Sequence, residues 1–158
     1  MTFNDIDEIK KAGFIGFKKM SELFLDSSML PANNGVYLVL NLENKPGEFL
    51  VIGSGGHFKG KDPNISLADL KSNWVDNTKV VYIGKANLLK TRLRQYFSFG
   101  QGKNIGHYGG RLIWQLKYSK DLVVCWKSFT TDSREFETDL IQQFVKTFGC
   151  RPFANLTN

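Results

Sequence analysis

The sequence is poor in cysteine and histidine, with two residues of each among 158. Cys125 and Cys150 lie in no CxxC arrangement, and only His57 and His107 are present to join them as metal ligands. Neither a disulfide framework nor a structural zinc site is therefore indicated. We interpret both cysteines as reduced residues of the core.

Long hydrophobic runs are also missing. No stretch approaches the length of a membrane span, and the N-terminal MTFNDIDEIKK lacks the apolar segment of a signal peptide. We therefore expect no membrane partner and a cytoplasmic location. The chain is 42% hydrophobic and 13% aromatic, which suits one compact domain over residues 1–158 with a real core.

Negative charge is in deficit. The sequence has 21 lysines and arginines against 15 aspartates and glutamates, giving a formal charge of +6. This balance favours an anionic partner such as nucleic acid, although many basic proteins bind none. Charge alone therefore identifies no function.

Short strands interleave with helices along the chain. Hydrophobic patterning predicts an α/β or α+β domain with a small, mostly antiparallel sheet. RLIWQL, from Arg111, is ambiguous. The predicted strands are GVYLVLNL, EFLVIG, KVVYIG and LVVCWKSF, and the predicted helices are GFKKMSELFL, SLADLKSNW, NLLKTRLRQYF and the segment from Arg134 to Phe148.

A partial phosphate-binding loop lies between two of these elements. Gly55-x-x-x-x-Gly60-Lys61 matches most of a P-loop, but Asp62 stands where a serine or threonine must hold magnesium. The next residues, Pro-Asn, do not continue the helix whose N-terminus would bind the phosphate. A nucleotide-binding protein is thus the lowest-ranked hypothesis, and the segment is interpreted as a flexible glycine loop.

A carboxylate stands where the last helix should be apolar. At about 100° per residue, the helix from Arg134 to Phe148 forms one hydrophobic stripe, and Glu137 points within roughly 10° of its centre. Such a placement is unusual for an acidic residue, because ionised carboxylates are rarely buried without a partner.

The helix NLLKTRLRQYF carries two arginines with different predicted orientations. Its leucines and aromatic residues share a face centred roughly 200° from Asn87, and Arg92, at about 140°, lies within that face. Arg94, at about 340°, points away. Periodicity therefore predicts an inward Arg92 and a solvated Arg94.

These inward charges have two interpretations. An uncompensated buried ion costs several kcal/mol, against a net stability of about 5–15 kcal/mol for a whole domain. Arg92 and Glu137 could therefore form a structural ion pair, with the arginine stem lying along apolar surface. If they meet a cleft instead, they could bind a phosphate and a cation.

Five short elements, taken in order, resemble the GIY-YIG nuclease superfamily. They are GVY at Gly35–Tyr37, YIG at Tyr82–Gly84, Arg92, Glu137, and Asn155 within RPFAN. The likeness covers residues 35–41 and 79–155, and VVYIGKANLLKTRLRQYF is most similar to the N-terminal nuclease domain of the bacterial excision-repair endonuclease. GVY alone would carry no weight, whereas five elements on the expected strands and helices are specific.

The resemblance implies an α+β fold, a small mostly antiparallel sheet flanked by helices, with an insertion at about 42–78. It implies a site in which Glu137 coordinates one Mg²⁺ or Mn²⁺ ion and Arg92 holds the scissile phosphate. Tyr37 would orient or deprotonate the attacking water. Tyr82 would support this network, and Asn155 would hydrogen-bond within it.

The residue types suit these implied roles. Magnesium prefers hard oxygen ligands and keeps several waters, so one carboxylate plus a substrate phosphate suffices. The planar, permanently charged guanidinium of Arg92 matches phosphate oxygens. Tyrosine has an ordinary pKa of about 10, so Tyr37 would need a nearby positive charge to form phenolate. Gly84 is expected to let the chain turn from strand to helix.

The insertion is the main departure from the compact pattern. Tyr37 and Tyr82 are 45 positions apart (82 minus 37), where compact members use a short hairpin, so the insertion is a candidate for substrate recognition. Lys85 could assist Tyr37, touch DNA or be solvated. HYGGR, at 107–111, could reach the site, although a glycine loop with a chance histidine is the simpler interpretation.

The main prediction is a divalent-metal-dependent endonuclease that hydrolyses phosphodiester bonds, with DNA as the expected substrate, in repair or restriction. The alternative is a non-catalytic nucleic-acid-binding module on the same scaffold, whose binding would survive chelation without any cleavage. We see no separate DNA-binding module after the predicted domain. Target recognition would then belong to this domain alone, to a partner protein or to a homo-oligomer.

Overall fold

The computed structural model describes residues 1–156. None of the helices in this range is long and apolar enough to cross a membrane. Short 3₁₀ turns cover Phe58–Gly60, Arg111–Gln115 and Ser119–Asp121. The regular elements are α1 (Ile6–Lys11), β1 (Ile15–Lys19), α2 (Met20–Leu25), β2 (Gly35–Leu40), α3 (Leu67–Asn73), β3 (Val80–Ala86), α4 (Leu89–Gly100), β4 (Val123–Ser128) and α5 (Arg134–Phe148).

The strands form one antiparallel sheet in the order β1-β4-β2-β3. All residues of β2 are buried, as its central place between β3 and β4 and its apolar sequence require. The predicted α+β class, with a small antiparallel sheet flanked by helices, is confirmed.

Helices cover both faces of the sheet. On one face, Tyr37 and Val39 of β2 pack with buried residues of α2, α3 and α4. On the other face, Val36 and Leu38 pack with buried residues of α1 and α5. The alternation follows from the two-residue side-chain period of a strand. The two halves of the core are therefore separated by the sheet.

Pairing between β2 and β3 places the two motif tyrosines on the same face. Tyr37 lies opposite Gly84, and Tyr82 lies opposite Val39. Val39 follows Tyr37 by two positions, so their side chains point to the same side of the sheet. Tyr82, which lies opposite Val39, points to that side as well. Val81 is an extra residue of β3 at this point, where the register shifts.

Two predicted elements were wrong in part. GFKKMSELFL begins as the edge strand β1, which pairs with β4, and becomes helical only at Met20. Gly16 at φ +99° and Phe17 at φ +55° are not helical. EFLVIG forms no strand of the sheet and makes only an isolated bridge between Phe49 and Leu116.

The segment between β2 and β3 contains the predicted insertion. It holds the 3₁₀ turn at Phe58–Gly60 and α3, and Leu70 of α3 belongs to the core. Within the described chain, the next helix after Lys61 begins at Leu67. The glycine loop therefore does not lead directly into a helix N-terminus, as a P-loop requires.

Candidate active site

Three tyrosines pack together at the centre of the candidate site. The rings of Tyr37 and Tyr82 lie edge to face, with centroids 5.9 Å apart. The Tyr96 ring lies 6.3 Å from Tyr37 and 5.9 Å from Tyr82, and its hydroxyl donates to the Gly110 carbonyl at 2.7 Å. Tyr96 was not among the predicted site residues. Its position one helical turn after Arg92 was the available signal.

Gly84 provides the space that the Tyr37 ring occupies. A Cβ at Gly84 would lie 2.3 Å from Cζ and 2.6 Å from the hydroxyl oxygen of Tyr37. The expectation that Gly84 turns the chain from strand to helix is wrong, because β3 continues to Ala86. The residue instead permits close approach of an aromatic ring to the backbone.

We expect Gly84→Ala to displace the Tyr37 ring and to lower the free energy of unfolding by about 1–3 kcal/mol, the usual cost of overpacking. Urea denaturation of the wild type and the variant measures this change. Tyr37→Leu removes the ring atoms that the new methyl group would meet. The double variant should therefore lose less stability than the two single losses added together. Additive losses would contradict the proposed steric conflict.

A pocket of about 370 Å³ opens beside Tyr82. It lies between β3, α5, the loop before the 3₁₀ turn at Arg111–Gln115, and the C-terminal segment. The charged and hydrogen-bonding side chains in its wall are those of Tyr82, Tyr108, Arg111, Glu137, Arg151 and Asn155. Among residues 1–156, a single carboxylate thus shares this pocket with two guanidinium groups.

Glu137 reaches the pocket from the first turn of α5 and is half-buried. Burial raises the pKa of its carboxyl above the ordinary value, while the positive charges of Lys85 and Arg134 lower it. The carboxylate is therefore partly desolvated but surrounded by cations. The sequence correctly predicted an inward-facing Glu137, because the apolar stripe of α5 continues on both sides of it.

Arg92 lies outside the wall of this pocket. It is half-buried, whereas Arg94 is exposed, as the helical periodicity predicted. Arg92 donates to Oε1 of Gln95 at 3.3 Å and lines a second, shallower pocket of about 380 Å³ with Lys85. Burial raises the pKa values of Tyr37 and Tyr82, and the charge of Arg92 opposes that rise only in part.

Arg92 and Glu137 are not joined as a structural ion pair. Of the ion pairs found within residues 1–156, none includes either side chain. Both charges nevertheless act on Tyr82: Glu137 raises the pKa of its phenol and Arg92 lowers it. The two groups therefore both influence the Tyr82 phenol without forming a direct ion pair with each other.

Asn155 fixes the backbone next to Tyr82. Its Oδ1 accepts from the Ile83 N–H at 2.9 Å, and its Nδ2 donates to the Ile83 carbonyl at 2.8 Å. The Ala154 N–H also donates to the Val81 carbonyl at 2.9 Å. Asn155 therefore pairs with the outer edge of β3 while it lines the pocket.

The two motif tyrosines differ in their access to the pocket. Tyr37 is 1% exposed and is not part of the pocket wall, whereas Tyr82 is 8% exposed and lines it. Burial raises the pKa of Tyr37 well above 10 and also raises that of Tyr82. These surroundings keep the Tyr37 phenol protonated and place it behind Tyr82.

His107 belongs to the loop before the 3₁₀ turn at Arg111–Gln115 and was not a predicted site residue. Its ring stacks on Tyr96 with centroids 4.7 Å apart and is 1% exposed. Burial, together with the charge of Arg92, lowers the pKa of His107 to about 4. The imidazole is therefore neutral at pH 7, and it does not line the pocket beside Tyr82.

The donor set at the pocket suits an ion that needs few protein ligands. Among residues 1–156, no three histidine, cysteine, aspartate or glutamate side chains are grouped as metal ligands. Glu137 offers a hard oxygen ligand in a pocket with room for water and a phosphate. Magnesium commonly binds through one or two carboxylates and keeps several waters, so the residues present fit a single such ion.

A family comparison agrees with this arrangement. Residues 71–149 match a family model described as the GIY-YIG catalytic domain, which spans half of the 158-residue chain. The chain belongs to the GIY-YIG family. It is thus a member of a nuclease family, and GIY-YIG nucleases generally bind nucleic acid and use a divalent metal ion. No curated protein and no solved structure is significantly similar to the chain.

The GIY-YIG match contains part of the candidate site. Tyr82, Arg92 and Glu137 lie inside the matched residues, whereas Tyr37 and Asn155 lie outside them. In the structure, strand pairing between β2 and β3 joins Tyr37 to the matched residues. The hydrogen bonds to Ile83 join Asn155 to them.

Proposed function

We propose that this protein is a divalent-metal-dependent endonuclease that hydrolyses phosphodiester bonds in DNA. The observation that carries the proposal is Glu137: among residues 1–156 it is the single carboxylate in the pocket beside Tyr82, and the other charged and hydrogen-bonding side chains there are guanidinium, phenol and amide groups. Such a pocket attracts phosphate and offers one anionic ligand to a cation.

Glu137 would hold one Mg²⁺ or Mn²⁺ ion in this pocket. When bound, the ion would act as a Lewis acid that stabilises negative charge on the phosphate. Lys85 and Arg134, which act on the Glu137 carboxyl, help to keep it ionised. Because a carboxylate must be deprotonated to bind a metal, the chain is adapted to supply that ligand despite its partial burial.

Arg92 would bind the scissile phosphate. Its guanidinium is half-buried and does not pair with a carboxylate in the described residues. Its remaining donors are therefore available for phosphate oxygens, and they would stabilise the additional charge of the transition state.

Tyr82 is better placed than Tyr37 to orient the attacking water. The sequence-based hypothesis gave this role to Tyr37, but Tyr82 is the one that lines the pocket. We therefore assign Tyr37 a positioning role behind Tyr82, supported by their edge-to-face contact. Asn155 would keep Tyr82 in place through the neighbouring Ile83 backbone.

Removal of divalent metal should abolish DNA cleavage. We expect nicking or cutting of supercoiled plasmid with Mn²⁺ or Mg²⁺, its loss in excess EDTA, and its return when either ion is restored, because Glu137 alone does not supply the positive charge of the ion. Gel electrophoresis of the plasmid forms measures cleavage.

The same experiment separates the two hypotheses made from the sequence. DNA binding, measured by gel shift in EDTA, serves as the control for a folded protein. Cleavage that continues in EDTA would contradict metal dependence. Binding without cleavage in either metal would instead identify the non-catalytic nucleic-acid-binding module.

A further inference from the structure

A buried glutamine fixes a loop of the insertion to the 3₁₀ turn that begins at Arg111. Gln115 is 1% exposed. Its side-chain Nε2 donates to the carbonyls of Leu50 at 3.2 Å and Ile65 at 3.0 Å. Its Oε1 accepts from the Ile65 N–H at 2.9 Å. Both ends of the loop from 50 to 65 are therefore anchored to the turn that follows Arg111.

Tyr108 joins this loop to the pocket. It lines the pocket and is half-exposed, and its hydroxyl donates to the Lys61 carbonyl at 3.0 Å. The Phe99 ring supports it in an edge-to-face contact with centroids 5.8 Å apart. The position of the Tyr108 ring is thus set by contacts from two parts of the chain.

Two cations lie over the Tyr108 ring. The Arg111 guanidinium lies 5.5 Å from the ring centroid and the Lys61 Nζ lies 5.9 Å from it. The nearby Asp62 carboxylate accepts from Asn64 at 2.7 Å and lies 3.6 Å from His57. Lys61 itself is exposed and forms no ion pair within residues 1–156.

A half-exposed aromatic ring, with cations over it that form no ion pair within residues 1–156, suits one class of ligand. Single-stranded nucleic acids bind by stacking bases on aromatic side chains while positive groups contact the backbone. Bases in a duplex are already stacked and paired, so their faces are not available to a ring. The chemistry at Tyr108 therefore favours unpaired nucleotides over a continuous duplex.

We propose that Tyr108, Arg111 and Lys61 form a binding site for unpaired nucleotides that flank the scissile phosphate. Tyr108 stacks with a base, and Lys61 and Arg111 bind backbone phosphates. The proposal rests on the proposed function, because it takes the pocket with Glu137 as the place of the scissile phosphate. The insertion then contributes to substrate recognition by supplying Lys61 and the carbonyl that holds Tyr108.

Fluorescence anisotropy in EDTA tests this site without cleavage. The probes are a labelled DNA strand of about 12 nucleotides, within the range that one single-strand site covers, its blunt duplex, and the RNA strand of the same sequence. We expect Tyr108→Leu to weaken binding of the single strand about 10-fold and to leave duplex binding unchanged. Tyr108→Phe keeps the ring but loses the hydrogen bond to the Lys61 carbonyl, so it should weaken single-strand binding less than Tyr108→Leu. The RNA probe shows whether the site distinguishes the two sugars.

A lysine pair tests the phosphate contact. Lys61→Ala should reduce the slope of log affinity against log salt concentration by about 0.7, the value for one phosphate contact on a single strand. Lys71→Ala removes the same charge from an exposed position of α3 in the same insertion and should not change the slope. Equal slopes for Lys61→Ala and the wild type would overturn the assignment of Lys61.

Failure of this inference is distinguishable from failure of the proposed function. If Tyr108→Leu weakens single strand and duplex equally, or neither of them, while plasmid is cleaved, the site for unpaired nucleotides is wrong and the nuclease stands. If the Tyr108 variants behave as expected but no metal supports cleavage, the site stands and the nuclease assignment is wrong.

Discussion

Glu137→Gln is expected to reduce the rate of plasmid cleavage about 10³-fold or more. The substitution keeps the size of the side chain but removes the charge that would hold the ion, whose stabilisation of the transition state amounts to several kcal/mol. Single-turnover cleavage with Mn²⁺ measures the rate. Because glutamine needs no ionisation at this half-buried position, we expect the folded structure to be retained, and circular dichroism checks this.

Glu135→Gln is the matched control. Glu135 lies in the same first turn of α5, is exposed, and is not part of the pocket beside Tyr82. Glu135→Gln makes the same change of charge, and this variant should cleave at the wild-type rate. Equal rates for Glu137→Gln and the wild type would remove Glu137 from the site, and with it the proposed metal position.

Arg92→Ala is expected to lower the cleavage rate about 10²- to 10³-fold, the usual effect of removing one donor that stabilises transition-state charge. Arg92→Lys should recover only part of the activity, because an ammonium group lacks the planar fork of guanidinium. The measurement is the single-turnover rate at saturating protein, so that a weaker affinity for DNA does not mask the effect on the chemical step.

Arg94→Ala controls for the loss of positive charge from α4. Arg94 is exposed and donates to the Ser27 hydroxyl at 2.7 Å, away from the tyrosine cluster. We expect this variant to retain the wild-type rate. If Arg92→Ala and Arg94→Ala lose activity to the same extent, the effect comes from general charge and Arg92 has no special role.

The inward orientation of Arg92 and Glu137 could be predicted because it depends on local sequence. Both residues interrupt the apolar stripe of a long helix, and the 3.6-residue period assigns each side chain a direction. Exposure of Arg94 follows from the same period. The distance between the two helices does not follow from it, so the sequence left an ion pair open as an alternative.

The errors lie where tertiary contacts override local pattern. Gly16–Lys19 has a helical pattern when read with the residues that follow, but it pairs with β4 as an edge strand. The segment from Glu48 to Gly53 is apolar enough for a strand, yet the Gln115 side chain takes some of its backbone hydrogen bonds. No local pattern reports a partner more than 60 positions away.

For the loop side of the pocket, the sequence left open whether HYGGR, at 107–111, reaches the site. Tyr108 and Arg111 stand in a glycine-rich stretch without a helical or strand period, so periodicity gives their side chains no direction. Their place at the pocket depends on Tyr96, which binds the Gly110 carbonyl, and on the insertion, through Lys61. The cluster of aromatic and basic residues was the only available signal.

The Asn155 amide has a consequence for self-assembly. β3 is the last strand of the sheet, and an open edge of this kind can recruit a strand from another molecule. Asn155 occupies both backbone groups of Ile83, and Ala154 occupies the carbonyl of Val81. A second copy therefore cannot add a strand to β3 at these positions, because the backbone groups that would pair with it already bind the C-terminal segment of the same chain.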